Sequence, residues 1–297
     1  MIKAIPQGSK VGIISPSSSI SSPQEIQNGL KYLQQTLGYN VVLGKYVYDD
    51  YYTMGGTPEQ RAEDIMNFFK DESIKAIFCT RGGYSGQYIL PLLDYNIIKN
   101  NPKPIIGFSD ITALHMGIYA KTGNIGYAGP LLKYDFENSP PNNILERSLK
   151  NILSGQTEEI RGGFTANSGK TSGILLGTNL TVIQLLSGTE YYPSLDNAIL
   201  LLEDVDAATY VYEQYLLQLK QQKEFHKVKG IIFGQFTDSF IKREGQKDIN
   251  EIIEQFAKDI KIPIIKNFPF GHIKARNVIP LGIKAEMDAD NCILRIG

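Results

Sequence analysis

The chain has 297 residues, 42% hydrophobic and 21% charged, which is typical of a globular protein with one large or two ordinary domains. Its formal net charge of −1 gives no electrostatic basis for binding nucleic acid or an anionic membrane surface, and no apolar run is long enough to span a bilayer. Met1 to Pro6 lack the apolar stretch of a secretory signal, and Cys79 and Cys292 are expected to be reduced core residues, which indicates a cytoplasmic protein.

Strands and helices alternate in the first half of the chain. Short apolar and β-branched runs predict strands at 11–14, 41–43, 76–79, 105–106 and 125–127. Two capping boxes, Ser22–Glu25 and Thr57–Gln60, each place proline at the first position of a predicted helix. This alternation predicts a mostly parallel, doubly wound sheet, in which ligands bind at the carboxyl ends of the strands.

Three loops are expected at that edge of the sheet. Ser15–Ser19 carries small hydroxyl residues, although a plain loop is slightly the better interpretation of that segment alone. The glycine-rich turn that begins Arg81-Gly82-Gly83 matches neither a dinucleotide fingerprint nor a P-loop, but its backbone N–H groups could bind an oxyanion. Ser109 follows the next strand. Together the three loops indicate a ligand site better than any one of them.

Ser109 lies where a strand turns into a helix. The segment Gly107-Phe108-Ser109-Asp110-Ile111 resembles the nucleophile elbow Gly-x-Ser-x-Gly, except that isoleucine replaces the last glycine. An elbow would present the hydroxyl beside the first N–H groups of the helix, which form half of an oxyanion hole. Taken alone, the motif is better explained as a helix N-cap, formed by Ser109 or Asp110.

The second half of the chain predicts a smaller α/β domain with mixed strands. A tract rich in Gly, Ser, Thr and Lys follows the helix 143–153. We therefore predict an N-terminal domain at 1–155, a linker at 156–172 and a C-terminal domain at 173–297. Predicted strands lie at 174–177, 198–204, 230–234, 264–265, 281–287 and 292–296, the last two as a hairpin.

One of the three histidines is a candidate base. His115 lies on the helix after the elbow and His226 in a charged surface stretch, whereas His272 lies in a Pro/Gly-bracketed loop after an apolar strand. Such a loop can hold an imidazole rigidly near solvent, so catalysis and a buried, satisfied histidine are equally good interpretations of His272.

Glu203 is the candidate acid that would orient this histidine. It ends five apolar residues of a predicted strand, where an unpaired carboxylate would be very costly. Asp204 and Asp206 are local competitors, and an ion pair with a lysine or arginine is the alternative. Ser109, Glu203 and His272 stand in the chain order serine, acid, histidine.

Four segments in this order resemble the signature segments of the LD-carboxypeptidases: Arg81–Tyr84, Gly107–Asp110, Leu202–Asp204 and Phe270–His272. These enzymes are serine peptidases of murein recycling and are related to the microcin C immunity peptidase. The similarity extends from Val11 to Gly282, nearly the whole chain. Four motifs in the right order are far more specific than the elbow alone and overturn the N-cap interpretation of Ser109.

The resemblance implies a site in the cleft between the two domains. Ser109 would be the nucleophile, Glu203 the orienting acid and His272 the base, with the N–H groups of Gly83 and Asp110 as the oxyanion hole. It further implies a homodimer that needs no metal or cofactor. The reaction would cleave the bond between an L-centre diamino acid and the terminal D-alanine of a murein tetrapeptide.

A carboxypeptidase must also bind a free carboxylate. Arg81, beside Gly82, is the first candidate and Lys274 and Arg276 the next, because charge-assisted hydrogen bonds suit that task. An equally good interpretation of Arg81 is a structural brace of the glycine turn. Microcin-type relatives typically stack a nucleobase on a tryptophan; this chain has none, which favours muropeptides without excluding a tyrosine in that role.

Two other classes of protein compete with the peptidase. A non-catalytic module on the same scaffold could hold an anion in the loop 81–86, and it predicts that Ser109, Glu203 and His272 lie beyond hydrogen-bonding reach of one another. A cysteine-dependent amidotransferase using Cys79 is weaker, because that residue lies within a strand rather than at a turn.

Overall fold

The computed structural model describes residues 2–297. Its first sheet contains six strands: β1 (Lys10–Ile14), β2 (Asn40–Leu43), β3 (Ile74–Cys79), β4 (Ile105–Gly107), β5 (Gly126–Ala128) and β12 (Ile279–Leu281). They lie in the order β12-β5-β4-β3-β1-β2, and every neighbouring pair is parallel except β12 with β5. The mostly parallel sheet that the alternation predicted is confirmed.

Helices cover both faces of this sheet. They are α1 (Gln24–Lys31), α2 (Pro58–Lys70), α3 (Tyr95–Asn100), α4 (Thr112–Thr122) and α5 (Asn143–Leu153). Successive residues of β3 divide between two cores: Phe78 packs in the cluster that contains α1 and α5, and Ile77 in the one that contains α2, α3 and α4. Such near-continuous apolar strands are what a sheet buried on both faces requires.

The two predicted capping boxes have different outcomes. Thr57 caps α2 as expected: its Oγ1 accepts from the Gln60 N–H at 3.3 Å, and Gln60 Oε1 accepts from the Thr57 N–H at 2.8 Å. The box predicted at Ser22 is wrong, because α1 begins after Pro23 without a side-chain cap. A box at Ser22 would need the Glu25 carboxylate to accept from the Ser22 N–H. Glu25 Oε2 instead accepts from the N–H of the preceding residue, Ser21, at 3.0 Å.

The second sheet is mixed, as predicted. Its eight strands are β6 (Glu158–Arg161), β7 (Phe164–Asn167), β8 (Lys170–Asn179), β9 (Ala198–Val205), β10 (Gly230–Thr237), β11 (Ile264–Lys266), β13 (Ile283–Asp288) and β14 (Ile293–Ile296). In the order β6-β14-β13-β8-β9-β10-β11-β7, only β8 to β11 are mutually parallel. Helices α6 (Leu180–Leu186), α7 (Thr209–Gln221) and α8 (Ile249–Lys258) accompany the parallel strands.

Residues 156–172, predicted as a linker, carry regular structure. They include β6, β7 and the first residues of β8, while β12, from the C-terminal part of the chain, joins the first sheet. Apolar residues of the second sheet share one cluster with the α2–α4 side of the first. The division of the chain at a linker stays a prediction. Within residues 2–297, no helix combines the length and the apolar character needed to cross a bilayer.

His115 is the packed helix residue that the sequence predicted. It is 3% exposed, and its Nε2 lies 3.1 Å from the Ile105 carbonyl oxygen, to which it can donate. Burial lowers the pKa of His115 from 6.5 to about 4, because an imidazolium would be stripped of water there. The folded protein therefore holds His115 neutral at neutral pH.

We expect this histidine to make folding stability depend on pH. Between pH 6.5 and about 4, the unfolded chain binds a proton at His115 that the folded protein does not, so stability falls as the pH falls. The full loss is about 3 kcal/mol. Urea unfolding at several pH values, with His115→Gln as the comparison, should show a smaller loss in the variant; equal losses would contradict the assignment.

Candidate active site

Ser109 occupies the strained elbow between β4 and α4. Its φ of 65° places a non-glycine residue in the left-handed region, and a short 3₁₀ turn, Ser109–Ile111, leads into the helix. Gly107 is required beneath the turn, because a Cβ there would lie 2.9 Å from the Ile111 side chain and 3.0 Å from Cys79 Cβ. The strand, turn and helix predicted around Ser109 are all present.

His272 lies between Ser109 and Glu203. Its Nε2 is 3.1 Å from Ser109 Oγ, and its Nδ1 is 2.8 Å from Glu203 Oε2. The His272 side chain is 21% exposed, whereas that of Glu203 is fully buried. The structure thus brings together the three side chains of the predicted triad, contrary to what the non-catalytic module predicts.

The carboxylate of Glu203 is held in a dry environment at the end of β9. Burial raises its pKa, and the hydrogen bond with His272 opposes that rise. Asp204, the local competitor, points elsewhere: its Oδ2 accepts from the Thr181 N–H and hydroxyl, each at 2.7 Å. Because the two neighbouring acids point to different partners, only Glu203 reaches the histidine.

The glycine-rich loop lies directly beside Ser109. A Cβ on Gly82 would lie 3.0 Å from Ser109 Cβ, and Gly83 has a φ of 154°, a conformation that favours glycine. Within residues 2–297, the backbone N–H groups of Gly83 and Asp110 donate no hydrogen bond to another protein atom. Two such donors next to a serine hydroxyl are suited to an oxyanion.

The Asp110 side chain fastens this loop to the elbow. Its buried Oδ2 accepts from the backbone N–H groups of Ser85, at 2.9 Å, and Gly86, at 2.7 Å, and from the Ser17 hydroxyl. The Ser18 N–H donates to the Gly82 carbonyl oxygen at 3.2 Å. The loop 15–19 is therefore more than the plain connection that its sequence alone favours.

Arg61 supports the same loops and was missed by the sequence interpretation. It is 2% exposed, and its Nη1 donates to the carbonyl oxygens of Pro16, at 2.8 Å, and Ser85, at 3.1 Å. A signal was present: Arg61 falls on the apolar face of α2, at helical spacing from Ile65 and Phe68. A cation on such a face requires buried acceptors, which these loops provide.

The candidate cations for a substrate carboxylate lie in different surroundings. Arg81 is half-buried, donates from Nη1 to the Ser19 carbonyl oxygen at 2.9 Å and lies 5.6 Å from the Tyr134 ring, so the bracing interpretation has direct support. Lys274 is exposed and lines a cavity of about 250 Å³ together with Tyr134. Tyr134 thus lies near both cations, beside Arg81 and in the cavity that Lys274 lines.

Arg276 is buried and already has an anionic partner. It is 5% exposed, and its Nη2 lies 2.6 Å from Asp135 Oδ2, with its guanidinium 4.6 Å from the centre of the Phe108 ring. The Phe108 ring also packs against His272, at 4.7 Å between ring centres. This geometry supports a positioning role better than a substrate contact, so the carboxylate role of Arg276 stays a prediction.

Two other candidate residues are not part of the arrangement of Ser109, His272 and Glu203. Cys79 is fully buried within β3, and burial raises the pKa of its thiol, so it is not an available nucleophile. His226 is exposed, with Nδ1 near the Lys223 carbonyl oxygen at 2.9 Å. No group of three or more His, Cys, Asp or Glu side chains within the described residues could hold a metal ion.

Known protein families match both halves of the chain. The model of the LD-carboxypeptidase N-terminal domain matches residues 11–129, and that of the LD-carboxypeptidase C-terminal domain matches residues 172–287. The chain belongs to the LD-carboxypeptidase family. The triad candidates Ser109, Glu203 and His272 all lie within the matched regions.

Individual relatives of this LD-carboxypeptidase family member align over almost its whole length. A probable murein peptide carboxypeptidase of Bacillus subtilis is 29% identical over 96% of this chain and 91% of its own. The murein tetrapeptide carboxypeptidase of Pseudomonas aeruginosa is 31% identical over 96% and 95%. A structure of the microcin C7 self-immunity protein MccF in complex with aspartyl sulfamoyl adenosine superimposes with a TM-score of 0.89 at 28% identity, covering 100% of this chain and 98% of that one.

Replacing Gly83 by alanine tests the oxyanion loop. The new Cβ would lie 2.5 Å from Ser17 Oγ and closer still to Ser18 Oγ, so the loop and its N–H must move. Loss of one oxyanion donor lowers kcat by about 10²- to 10³-fold. Steady-state kinetics should show this fall, whereas Gly8→Ala, also at positive φ but with open space around its Cβ, should keep full activity. Equal activity of the two variants would contradict the assignment of the Gly83 N–H as an oxyanion donor.

Proposed function

We propose that this protein is a serine peptidase that releases the terminal D-alanine from murein tetrapeptides by cutting after the L-centre diamino acid. The observation that supports it most directly is the hydrogen-bonded path from Ser109 Oγ through His272 to Glu203, at 3.1 and 2.8 Å. Membership of the LD-carboxypeptidase family and the substrates named for its relatives agree with this activity.

In the proposed reaction, His272 acts first as base and then as acid. Its Nε2 accepts the Ser109 proton as Oγ attacks the carbonyl carbon of the diamino acid, and the C–N bond to D-alanine then breaks. The same nitrogen returns the proton to the leaving amine, which leaves an acyl-serine. In the second half-reaction His272 takes a proton from water as the water oxygen attacks the acyl carbon. The ester bond to Ser109 then breaks, His272 returns the proton to Oγ, and the tripeptide leaves with a new carboxylate on its diamino acid.

Two features of the site favour the charged states of this reaction. The N–H groups of Gly83 and Asp110 would donate to the tetrahedral oxyanion, each contributing about 3–4 kcal/mol to the transition state. The buried Glu203 carboxylate accepts a hydrogen bond from His272 Nδ1–H, which fixes the tautomer with Nε2 free to act as base and stabilises the imidazolium once it forms.

We assign the substrate carboxylate to Arg81 and Lys274, next to Gly82. Arg81 lies in the glycine loop with Gly83, and Lys274 follows His272 by two residues, so each is close along the chain to a candidate catalytic group. The cavity of about 250 Å³ beside Lys274 offers space for part of the peptide. The site would therefore lie in a cleft between the two halves of the chain.

The second candidate is a microcin C-type immunity peptidase that cleaves peptidyl-adenylates. The superposition with MccF bound to aspartyl sulfamoyl adenosine favours it. Against it stands the absence of tryptophan from the sequence, although Tyr84, which follows Gly83, and Tyr134, 5.6 Å from Arg81, are exposed. The homodimer implied by the family resemblance and the cytoplasmic location indicated by the cysteines stay predictions.

Mass spectrometry with defined substrates distinguishes these activities. The purified protein is incubated with a murein tetrapeptide, with the corresponding tripeptide as a blank, and in parallel with an aminoacyl sulfamoyl adenosine. Conversion of tetrapeptide to tripeptide plus alanine is the expected result. Cleavage of the adenosine compound alone would replace the first proposal by the second, and no turnover of either would refute both.

A further inference from the structure

Asn179 joins the two buried acids of β9 through a side chain whose orientation is fixed. It is the N-cap of α6, where its Oδ1 accepts from the Val182 N–H at 3.0 Å. Its Nδ2 must then point the other way, and it donates to Asp204 Oδ1 at 3.2 Å and more weakly to Glu203 Oε1 at 3.5 Å. The amide therefore touches the oxygen of Glu203 that His272 does not use.

The backbone of Asn179 is in turn held by helix α4, which packs on the first sheet. Thr112 begins α4, three residues after Ser109, and its Oγ1 accepts from the Asn179 N–H at 3.3 Å. The same oxygen lies 2.8 Å from Thr178 Oγ1. Thr112 and Thr178 are 1% and 0% exposed, so neither hydroxyl can exchange these partners for water.

These contacts complete a closed path through the candidate site. From Ser109 the chain leads along the start of α4 to Thr112, across to Asn179, through its amide to Glu203, and back through His272 to Ser109. The path passes twice between the elbow–α4 segment and the second half of the chain, once at the reacting groups and once at Thr112. The second crossing holds the serine-bearing helix in register with the strands that carry the acid.

We propose that Thr112 is a positioning residue, whose hydroxyl sets the distance between Ser109 and the Glu203–His272 pair through Thr178 and Asn179. This inference rests on the proposed function, and it adds a role to a residue that does not itself touch the reacting groups. A hydroxyl has one proton and two lone pairs, so Thr112 can serve both partners at once. A valine of the same shape can serve neither and would leave the buried Asn179 N–H unpaired.

Asp204 holds the Asn179 side-chain amide in place, so this amide cannot turn to compensate for loss of the hydrogen bond to Thr112. Its carboxylate is buried and accepts from the Thr181 N–H, the Thr181 hydroxyl and the Val205 N–H as well as from Asn179. If the Asn179 amide turned away, the buried Asp204 carboxylate would lose one of its hydrogen-bond donors, which is costly. The amide therefore keeps its orientation, and a shift of the Asn179 backbone moves the whole side chain. The displacement is then transmitted to Glu203 and to the His272 ring.

The test compares Thr112→Val with Thr112→Ser, which keeps the hydroxyl, and with Thr122→Val as the matched control. Thr122 lies at the other end of the same helix, and its hydroxyl donates to the Ile118 carbonyl oxygen at 2.7 Å. For D-alanine release from a tetrapeptide, Thr112→Val should lower kcat by roughly 10- to 100-fold with little change in KM, because misplacement of about 1 Å has effects of this size. Thr112→Ser and Thr122→Val should keep kcat within about twofold of the wild type.

A second measurement needs no substrate. Proton NMR of the protein observes the hydrogen-bonded Nδ1 proton of His272, identified by its loss in His272→Ala. We expect Thr112→Val to shift or broaden this resonance, while Thr112→Ser and Thr122→Val leave it in place. A wild-type resonance in Thr112→Val, or a kcat equal to that of Thr122→Val, would overturn the proposal. If the wild type releases no D-alanine, the proposed function fails, whereas the NMR comparison still decides the role of Thr112.

Discussion

Replacement of Ser109 by alanine is expected to lower kcat for D-alanine release by about 10⁴- to 10⁶-fold. The variant removes the atom that would bond to the substrate carbonyl, and the neighbouring His272 cannot substitute for it because its Nε2 is arranged to accept the Ser109 proton. Only the catalysis supplied by the oxyanion donors and by substrate binding would remain. Mass spectrometry over long incubations measures the residual rate.

The control for this variant is Ser154→Ala. Ser154 is exposed after α5, where its hydroxyl donates to the Asn151 carbonyl oxygen at 2.8 Å, far along the chain from the triad. It should keep wild-type kcat, and Ser109→Ala should keep the wild-type unfolding transition and bind the tetrapeptide. A Ser109→Ala protein that is folded and turns over substrate at more than a tenth of the wild-type rate would refute the serine mechanism.

Glu203→Gln is expected to lower kcat by about 10³- to 10⁴-fold while the substrate still binds. The glutamine has nearly the shape of glutamate, so the buried position at the end of β9 stays filled. The glutamine amide N–H, however, can donate to His272 Nδ1. This holds the imidazole in the tautomer whose own Nε2 carries the proton, and that nitrogen then cannot act as base. The imidazolium would also lose its neighbouring negative charge.

The pattern across variants decides whether Glu203 acts through the histidine. Glu224→Gln changes a more exposed acid, paired with Lys227, and should leave kcat unchanged. Glu203→Asp should fall between the wild type and Glu203→Gln, because a shorter carboxylate reaches the imidazole poorly but keeps its charge. Glu203→Gln with less than a tenfold loss of kcat would show that the acid is structural.

Local structure around the candidate residues followed from short-range rules. Ile105 and Ile106 could be assigned to a strand, and the apolar spacing of Ile111, Leu114 and Ile118 to a helix, so the turn at Ser109 was predictable. The capping box at Thr57 formed, but that at Ser22 did not, because Glu25 found the Ser21 N–H instead. Short motifs fail in this way when a neighbouring backbone donor competes for the same side chain.

The residues that support the site could not be identified from short-range sequence rules. Arg61 and the Asp110 carboxylate fasten the loops 15–19 and 82–86, and Thr112 meets Asn179 between the sheets. Each of these contacts joins segments separated by many residues along the chain. A buried cation or acid in a sequence indicates that a partner exists, but not which of the distant segments provides it.

The sequence by itself determined the alternating strands and helices, the elbow at Ser109 and, through four ordered motifs, the family. The packed fold was needed to show that His272, 163 residues from Ser109, lies 3.1 Å from its hydroxyl, and that Glu203 rather than Asp204 reaches the imidazole. The reason is physical: hydrogen bonding along a helix or within a turn depends on near neighbours. The meeting of three polar groups from distant turns, loops and strands depends instead on how the whole apolar core packs.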